Sequence, residues 1–260
     1  MIAEVDIGGA TWRVDLGRGR RLSIPVGRDG NHPRFFVDSQ VRFEPLASGA
    51  FTGRVATGGS CNAESVTLIP HCHGTHTEGV GHITAAAEPV QDRLENGLIP
   101  ARLVTVTPTT RTGPDDTAAG PGPVIPAAGL EWPEAIEALI IRTRPNDPDK
   151  CQRHYGESAP YPLLSVEAMQ AIVSGGIRHL LIDTPSVDAA DDGGELAQHR
   201  RFWGLGPGAV EASGERAGCT ITEMIYAPDD LPDGRYLLSL GVSALVGEAA
   251  PSSPMVYAAS

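Results

Sequence analysis

At 260 residues, with 41% hydrophobic and 20% charged residues, the chain has the make-up of an ordinary globular protein, long enough to bury a core without disulfide staples. Its formal net charge of −12 argues against nucleic acid and anionic membranes as partners, because both repel such a surface. No apolar run approaches the roughly 20 residues needed to span a bilayer, and the opening MIAEVDIGGATWRV lacks the parts of a signal peptide.

In chain order, Leu22–Val26, Phe35–Val37 and Val66–Ile69 read as short strands ended by Pro, Gly or Asp. Residues 83–97, with Ala85–Ala87 and Val90–Leu94, read as a short helix, and Leu103–Val106 as a strand. Thr107 to Gly129 is dense in Pro, Gly and Thr without a period, so a long surface loop is expected within a single domain spanning 1–260. A helix is expected to start at Trp132–Ala138, with Pro133 in its first turn, followed by the strand Leu139–Thr143. Ser165 can cap a helix whose Val166, Met169, Ile172 and Val173 share one face, ended by Gly175-Gly176. His179–Ile182 reads as a buried strand with Asp183–Asp188 just past its C-terminal edge, where α/β sheets gather functional groups. Leu231–Gly234 is a turn before the strand Arg235–Leu240. The class is therefore α/β, with a β-rich N-terminal part and a mixed sheet flanked by helices.

Four of the eight histidines fall in His71–His82, HCHGTHTEGVGH, together with Cys72 and Glu78. Pro70 and the glycines disfavour a helix. If the segment is extended, Cys72, Gly74, His76 and Glu78 share one face and His71, His73 and Thr75 the other. Thiolate, imidazole and carboxylate on one face are the ligand types of a divalent transition-metal site. A bulge at Gly74 would exchange Cys72 for His71 or His73.

Cys72-His-Gly-Thr-His-Thr-Glu-Gly-Val-Gly-His82 resembles the H-x-G-T-H-x-D-x-P-x-H signature of the cyclase family of metal-dependent hydrolases, which includes bacterial kynurenine formamidase and isatin hydrolase. The likeness continues in Asp183-Thr-Pro-Ser-Val-Asp188, in His199 and in the region of Glu223 before Leu231-Pro-Asp-Gly234, covering roughly residue 55 to the end. It implies a swivelling β/β/α-like fold and metal ligands at His76, Glu78, His199 and Glu223, with a catalytic histidine at His82. The first ligand of the pattern falls on Cys72, which favours zinc over manganese. Glu78 stands where the family has aspartate and Val80 where it has proline, and Glu211 or Glu215 competes with Glu223 for the last ligand. The resemblance further implies a small-molecule carbonyl substrate, such as N-formylkynurenine or a cyclic amide like isatin, and a homo-oligomer (dimer or tetramer). A metal-binding protein without hydrolytic activity is the alternative from another class.

The remaining residues have plainer readings. Asp183 is as suited to accepting backbone N–H groups as to chemistry. Ser186 lacks a G-x-S-x-G context. His154 and Tyr155 read as a surface loop and His179 as structural, while Trp203, four residues past His199, shares its helix face and can border the site. Cys61 is expected to be a buried free thiol. Gly58-Gly59 matches no phosphate-binding pattern, so nucleotide binding is not expected. The scattered cysteines, with no C-x-x-C pair, fit a reduced, cytoplasmic setting.

Overall fold

The computed structural model describes residues 1–94, 97–110, 122–156, 160–212 and 214–260. A nine-stranded mixed sheet organises them. In chain order its strands are β1 (Arg20–Arg21), β2 (His76–Glu78), β3 (Ile99–Val106), β4 (Ala138–Thr143), β5 (His179–Ile182), β6 (Thr220–Glu223), β7 (Gly234–Ser239), β8 (Ala249–Pro251) and β9 (Met255–Ala258); their spatial order is β8-β2-β6-β5-β4-β3-β7-β9-β1. Strands β3 to β6 form a parallel centre, and the other pairings within this sheet are antiparallel.

The centre forms where the sequence is most continuously apolar. Every residue of β4 (ALIIRT) and β5 (HLLI) is buried, as expected for parallel strands covered on both faces. Leu139, Ile141, Leu180 and Ile182 pack on one face against helices α1 (Val166–Ser174) and α2 (Ala197–Trp203) and against Trp12 and Val14 of an N-terminal hairpin. Ala138, Ile140 and Leu181 point the other way, onto Leu22, Ile225 and Tyr236. Ser165 caps α1 as expected, its hydroxyl accepting from the Ala168 N–H at 3.0 Å. Among the described residues no helix is long and apolar enough to cross a membrane.

Several local expectations are corrected. Trp132–Ala138 is not helical: the Glu137 carbonyl accepts from the Arg178 and His179 N–H groups, so sheet pairing captures the chain as it enters β4. Residues 83–94 form no α-helix. One 3-10 turn spans Val80–Ile83 and another Val90–Arg93; Pro89 separates the second from the chain before it, and the Val90 N–H bonds Gly247 instead. The rest of that expected helix includes residues 95 and 96, outside the described residues, as are 111–121 of the Pro/Gly-rich segment. The strands near Leu22, Phe35 and Val66 shift to Arg20–Arg21, Arg34–Phe35 and Glu64–Thr67. Cys61 is exposed.

Candidate metal centre

The site grows from the register of β2 against β6. In that antiparallel pair Glu223 lies opposite His76, and Ile221 opposite Glu78. Alternation along β2 puts His76 and Glu78 on one face, and the cross-strand partner brings the Glu223 Oε2 to 3.4 Å from the His76 Nε2. Three threonines hold this register. The Thr75 hydroxyl donates to the Met224 carbonyl at 2.6 Å and accepts from the Ile24 N–H, and the Thr77 and Thr222 hydroxyls bond each other at 2.8 Å. Helix α2 adds His199, whose Nε2 comes to 2.9 Å from the Glu78 Oε1 and 3.9 Å from the Glu223 Oε1. His82, from the turn after β2, lies 3.8 Å from the Glu78 Oε2.

The alternation expected from Cys72 onward holds only from His76. Pro70–Cys72 is a 3-10 turn, and Gly74 adopts a left-handed φ of +82°. This kink carries His71 to the site, its Nδ1 3.1 Å from the Glu78 Oε2. The Cys72 thiol borders the cavity but joins none of the tight groups of metal-capable side chains. His73 turns away, its Nε2 donating to the Ser39 carbonyl at 2.8 Å.

The donor atoms are prepared from behind. The His76 Nδ1 donates to the Gly74 carbonyl at 3.1 Å, and the His199 Nδ1 donates to the Asp188 Oδ2 at 2.7 Å. A carbonyl or carboxylate only accepts, so each ring directs its Nε2 into the site, as outer carboxylates and carbonyls do for metal-bound histidines. The Glu223 Oε1 accepts from the Val187 N–H, leaving its Oε2 toward His76. The His76 Nε2, the His199 Nε2 and both Glu78 oxygens are buried, and although they approach closely, none has a partner aligned for a hydrogen bond. Two buried carboxylates and several imidazole nitrogens in one place require positive charge among them. Protons can supply it: burial opposes charge on His199, but the Glu78 and Asp188 carboxylates outweigh burial and hold its pKa well above the usual value. Burial likewise opposes ionisation of Glu78, yet His82 and His199 hold its carboxyl well below the usual range. A divalent cation meets the same need, and the donor set of imidazole nitrogens and carboxylate oxygens fits one.

A cavity of about 550 Å³ opens above these groups. Phe35, Phe36, Ile69, Ala189, Ala190 and Leu196 give it apolar walls, and among the described residues that line it there is no lysine or arginine. His82 is partly exposed to it, and burial lowers its pKa against the pull of Glu78. The Trp203 ring stacks on His199 at 5.7 Å, as their four-residue spacing on α2 suggests.

Of the residues expected at the site, His76, Glu78, His82, His199 and Glu223 lie together, Cys72 stands beside them, and Glu211 and Glu215 are exposed elsewhere. Asp183 serves the fold, accepting from the Thr143 N–H at 2.8 Å and from the buried Lys150 Nζ at 2.7 Å. His179 bonds the Thr220 hydroxyl inside the sheet, and His154 faces Asp38 at the surface. Glu248 was missed: both its oxygens lie within 3.1 Å of the His71 Nε2. Nothing in VGEAAP signals this, because the contact joins residues 177 apart.

A family model described as putative cyclase matches residues 20–189, well over half of the chain. The chain belongs to the putative cyclase family. The match begins earlier than the motif resemblance, near residue 55, and ends before His199 and Glu223. The cyclase-family chain also superposes on solved structures along nearly its whole length. One, described as a potential metal-dependent hydrolase with cyclase activity, has a TM-score of 0.60 at 16% identity, covering 93% of this chain and 98% of the other. An isatin hydrolase bound to the product analogue thioisatinate gives 0.60 at 14%, covering 93% and 92%. Isatin hydrolase A from Labrenzia aggregata, bound to benzyl benzoate, gives 0.61 at 14%, covering 92% and 93%. At these identities the likeness establishes a shared fold. Comparison with curated protein sequences finds no match.

Proposed function

We propose that this chain is a metal-dependent hydrolase of small aromatic amides. The observation that carries the reading is the convergence of unpartnered buried atoms of His76, Glu78 and His199 beside Glu223, at the floor of an apolar cavity that His82 also lines. The solved structures of the same fold described as metal-dependent and isatin hydrolases support it.

His76, Glu78, His199 and Glu223 would hold the cation, zinc or manganese. When bound, such a cation lowers the pKa of water from about 15.7 toward 7 and polarises a carbonyl oxygen. The walls of Phe35, Phe36, Ile69 and Leu196 offer apolar surface against which a planar ring can lie. His82, which lines the cavity beside Glu78, carries a proton to the leaving nitrogen.

The motif resemblance points to N-formylkynurenine, whose hydrolysis yields kynurenine and formate. A second reading, a cyclic amide such as isatin, is favoured by the cavity itself. Among the described residues that line it there is no lysine or arginine for a substrate carboxylate, and Asp191 and Asp192 also line it.

The test is to purify the protein with zinc or manganese and assay both substrates alongside His82→Ala. Turnover should fall roughly 10²–10⁴-fold in the variant with metal content unchanged. Stoichiometric metal without turnover of any formamide, lactam or ester would sink the hydrolase reading and leave a metal-binding protein.

A further inference from the structure

Two side chains at the site lie outside the residues that the family pattern supplies. We propose that His71 takes the ligand place that the pattern puts at Cys72, and that Glu248 is the positioning residue that holds the His71 ring there. This inference rests on the metal-centre reading above.

Successive side chains of a 3-10 turn point about 120° apart, so the turn Pro70–Cys72 cannot aim His71 and Cys72 at one cation. The turn directs His71 inward. Its Nδ1 lies 3.1 Å from the Glu78 Oε2, its ring centroid lies 5.1 Å from that of His76, and with His76 and Glu78 it forms a compact group of potential ligands. The Cys72 thiol belongs to no such group.

Glu248 fixes which nitrogen faces the site. Its oxygens lie 3.0 and 3.1 Å from the His71 Nε2. A carboxylate accepts, so the Nε2 carries a proton toward Glu248, and a cation seated between the Nδ1 and Glu78 would take the lone pair of the Nδ1. This is the arrangement by which Asp188 holds His199, with the two ring nitrogens exchanged. The backbone builds the brace. Residues 249–251 pair with β2, and the Gly79 N–H donates to the Glu248 carbonyl at 2.9 Å. Gly81 leaves the room, since a Cβ there would stand 2.8 Å from the Glu248 Cβ. The resulting donor set is nitrogen and oxygen only. The softness of a thiolate therefore gives no reason to prefer zinc over manganese.

Cobalt(II) binding to the intact protein tests this, because a thiolate ligand adds a strong near-ultraviolet charge-transfer band. The wild type should bind Co²⁺ without that band, and Cys72→Ser should bind it with the same affinity and spectrum. His71→Ala and Glu248→Ala should each weaken binding roughly 10–100-fold, and Glu248→Gln, whose amide oxygen still accepts from the Nε2, should recover most of the loss. Circular-dichroism melts confirm that each variant is folded. A charge-transfer band that vanishes in Cys72→Ser, or His71→Ala binding like wild type, overturns the assignment of His71. Equal losses in Glu248→Gln and Glu248→Ala overturn the positioning role. Wild type that takes up no Co²⁺ overturns the metal-centre reading itself, an outcome distinct from the others.

Discussion

Asp188 uses both carboxylate oxygens on helix α2. Oδ1 accepts from the Gln198 N–H at 2.8 Å, and Oδ2 accepts from the His199 N–H and Nδ1. One side chain thus starts the helix and aims its first inward histidine. Asp188→Asn should lower metal affinity roughly 10–100-fold, read by competition with a chelating dye. Asp188→Ala should also cost about 1–3 kcal/mol of stability in urea unfolding, because charged, buried hydrogen bonds are lost. His179 gives a separate prediction. Burial pushes its pKa down to about 4 from the usual 6.5. The unfolded chain takes up a proton near pH 6.5 that the folded chain refuses until about pH 4. The contribution of this group is therefore complete above pH 6.5 and is lost as pH falls toward 4. His179→Gln should flatten the decline in stability between pH 7 and 4 by about 3 kcal/mol, measured from urea midpoints across that range. Among single residues, the Ser165 cap was legible because its partner lies three positions away, and the shared face of His76 and Glu78 because it follows from alternation, although their partners Glu223 and His199 come from far along the chain. Asp188 was legible only as a loop carboxylate, and Glu248 not at all.

At the scale of elements, the decisive piece is the short path from Pro70 to Glu78, a 3-10 turn, a left-handed glycine and a three-residue strand. Gly74 joins the two halves, and its conformation sets His71 against His76. Gly74→Ala places a side chain at φ +82° and a Cβ 2.9 Å from the Val26 Cγ2. It should cost about 1–2 kcal/mol of stability and weaken metal binding, checked by urea unfolding and metal titration. The same path shows where periodicity stops being a guide. Alternation read from Cys72 assumes one extended conformation, whereas the N–H groups of Cys72 and His73 both bond the Ile69 carbonyl and curl the chain. The expected helix at Trp132–Ala138 fails for a related reason. Its sequence suits a helix locally, but the sheet captures its end: the Glu137 N–H donates to the Pro100 carbonyl, its carbonyl accepts from Arg178 and His179, Ala138 pairs with β3 and β5, and Ile136 and Ala138 are buried. α1 and β5 formed as read, since capping residue, apolar face and burial agree there.

Across the whole molecule, the site exists only when the sheet is assembled, because β2, β6 and α2 each bring part of it. A cation bound there stabilises the folded state alone. At a metal concentration of 100 times Kd the gain should be about 2.7 kcal/mol, and removal with a chelator should lower the Tm by roughly 5–10 °C in a calorimetric scan. Equal Tm values with and without metal would contradict a cation at this place. The homo-oligomer implied by the family pattern is checked by sedimentation of the metal-loaded protein. The sequence by itself determined the α/β class, the continuous apolar strands of the sheet centre and the pairing of His76 with Glu78 on one face. Those properties follow from composition and from short-range periodicity. Only the tertiary structure decided that His71 rather than Cys72 turns inward and that Glu223 rather than Glu211 faces His76. It alone decided that Glu248 stands behind His71. These choices require atoms within about 3–4 Å of one another from segments far apart in the chain, and strand register and one glycine kink set those distances.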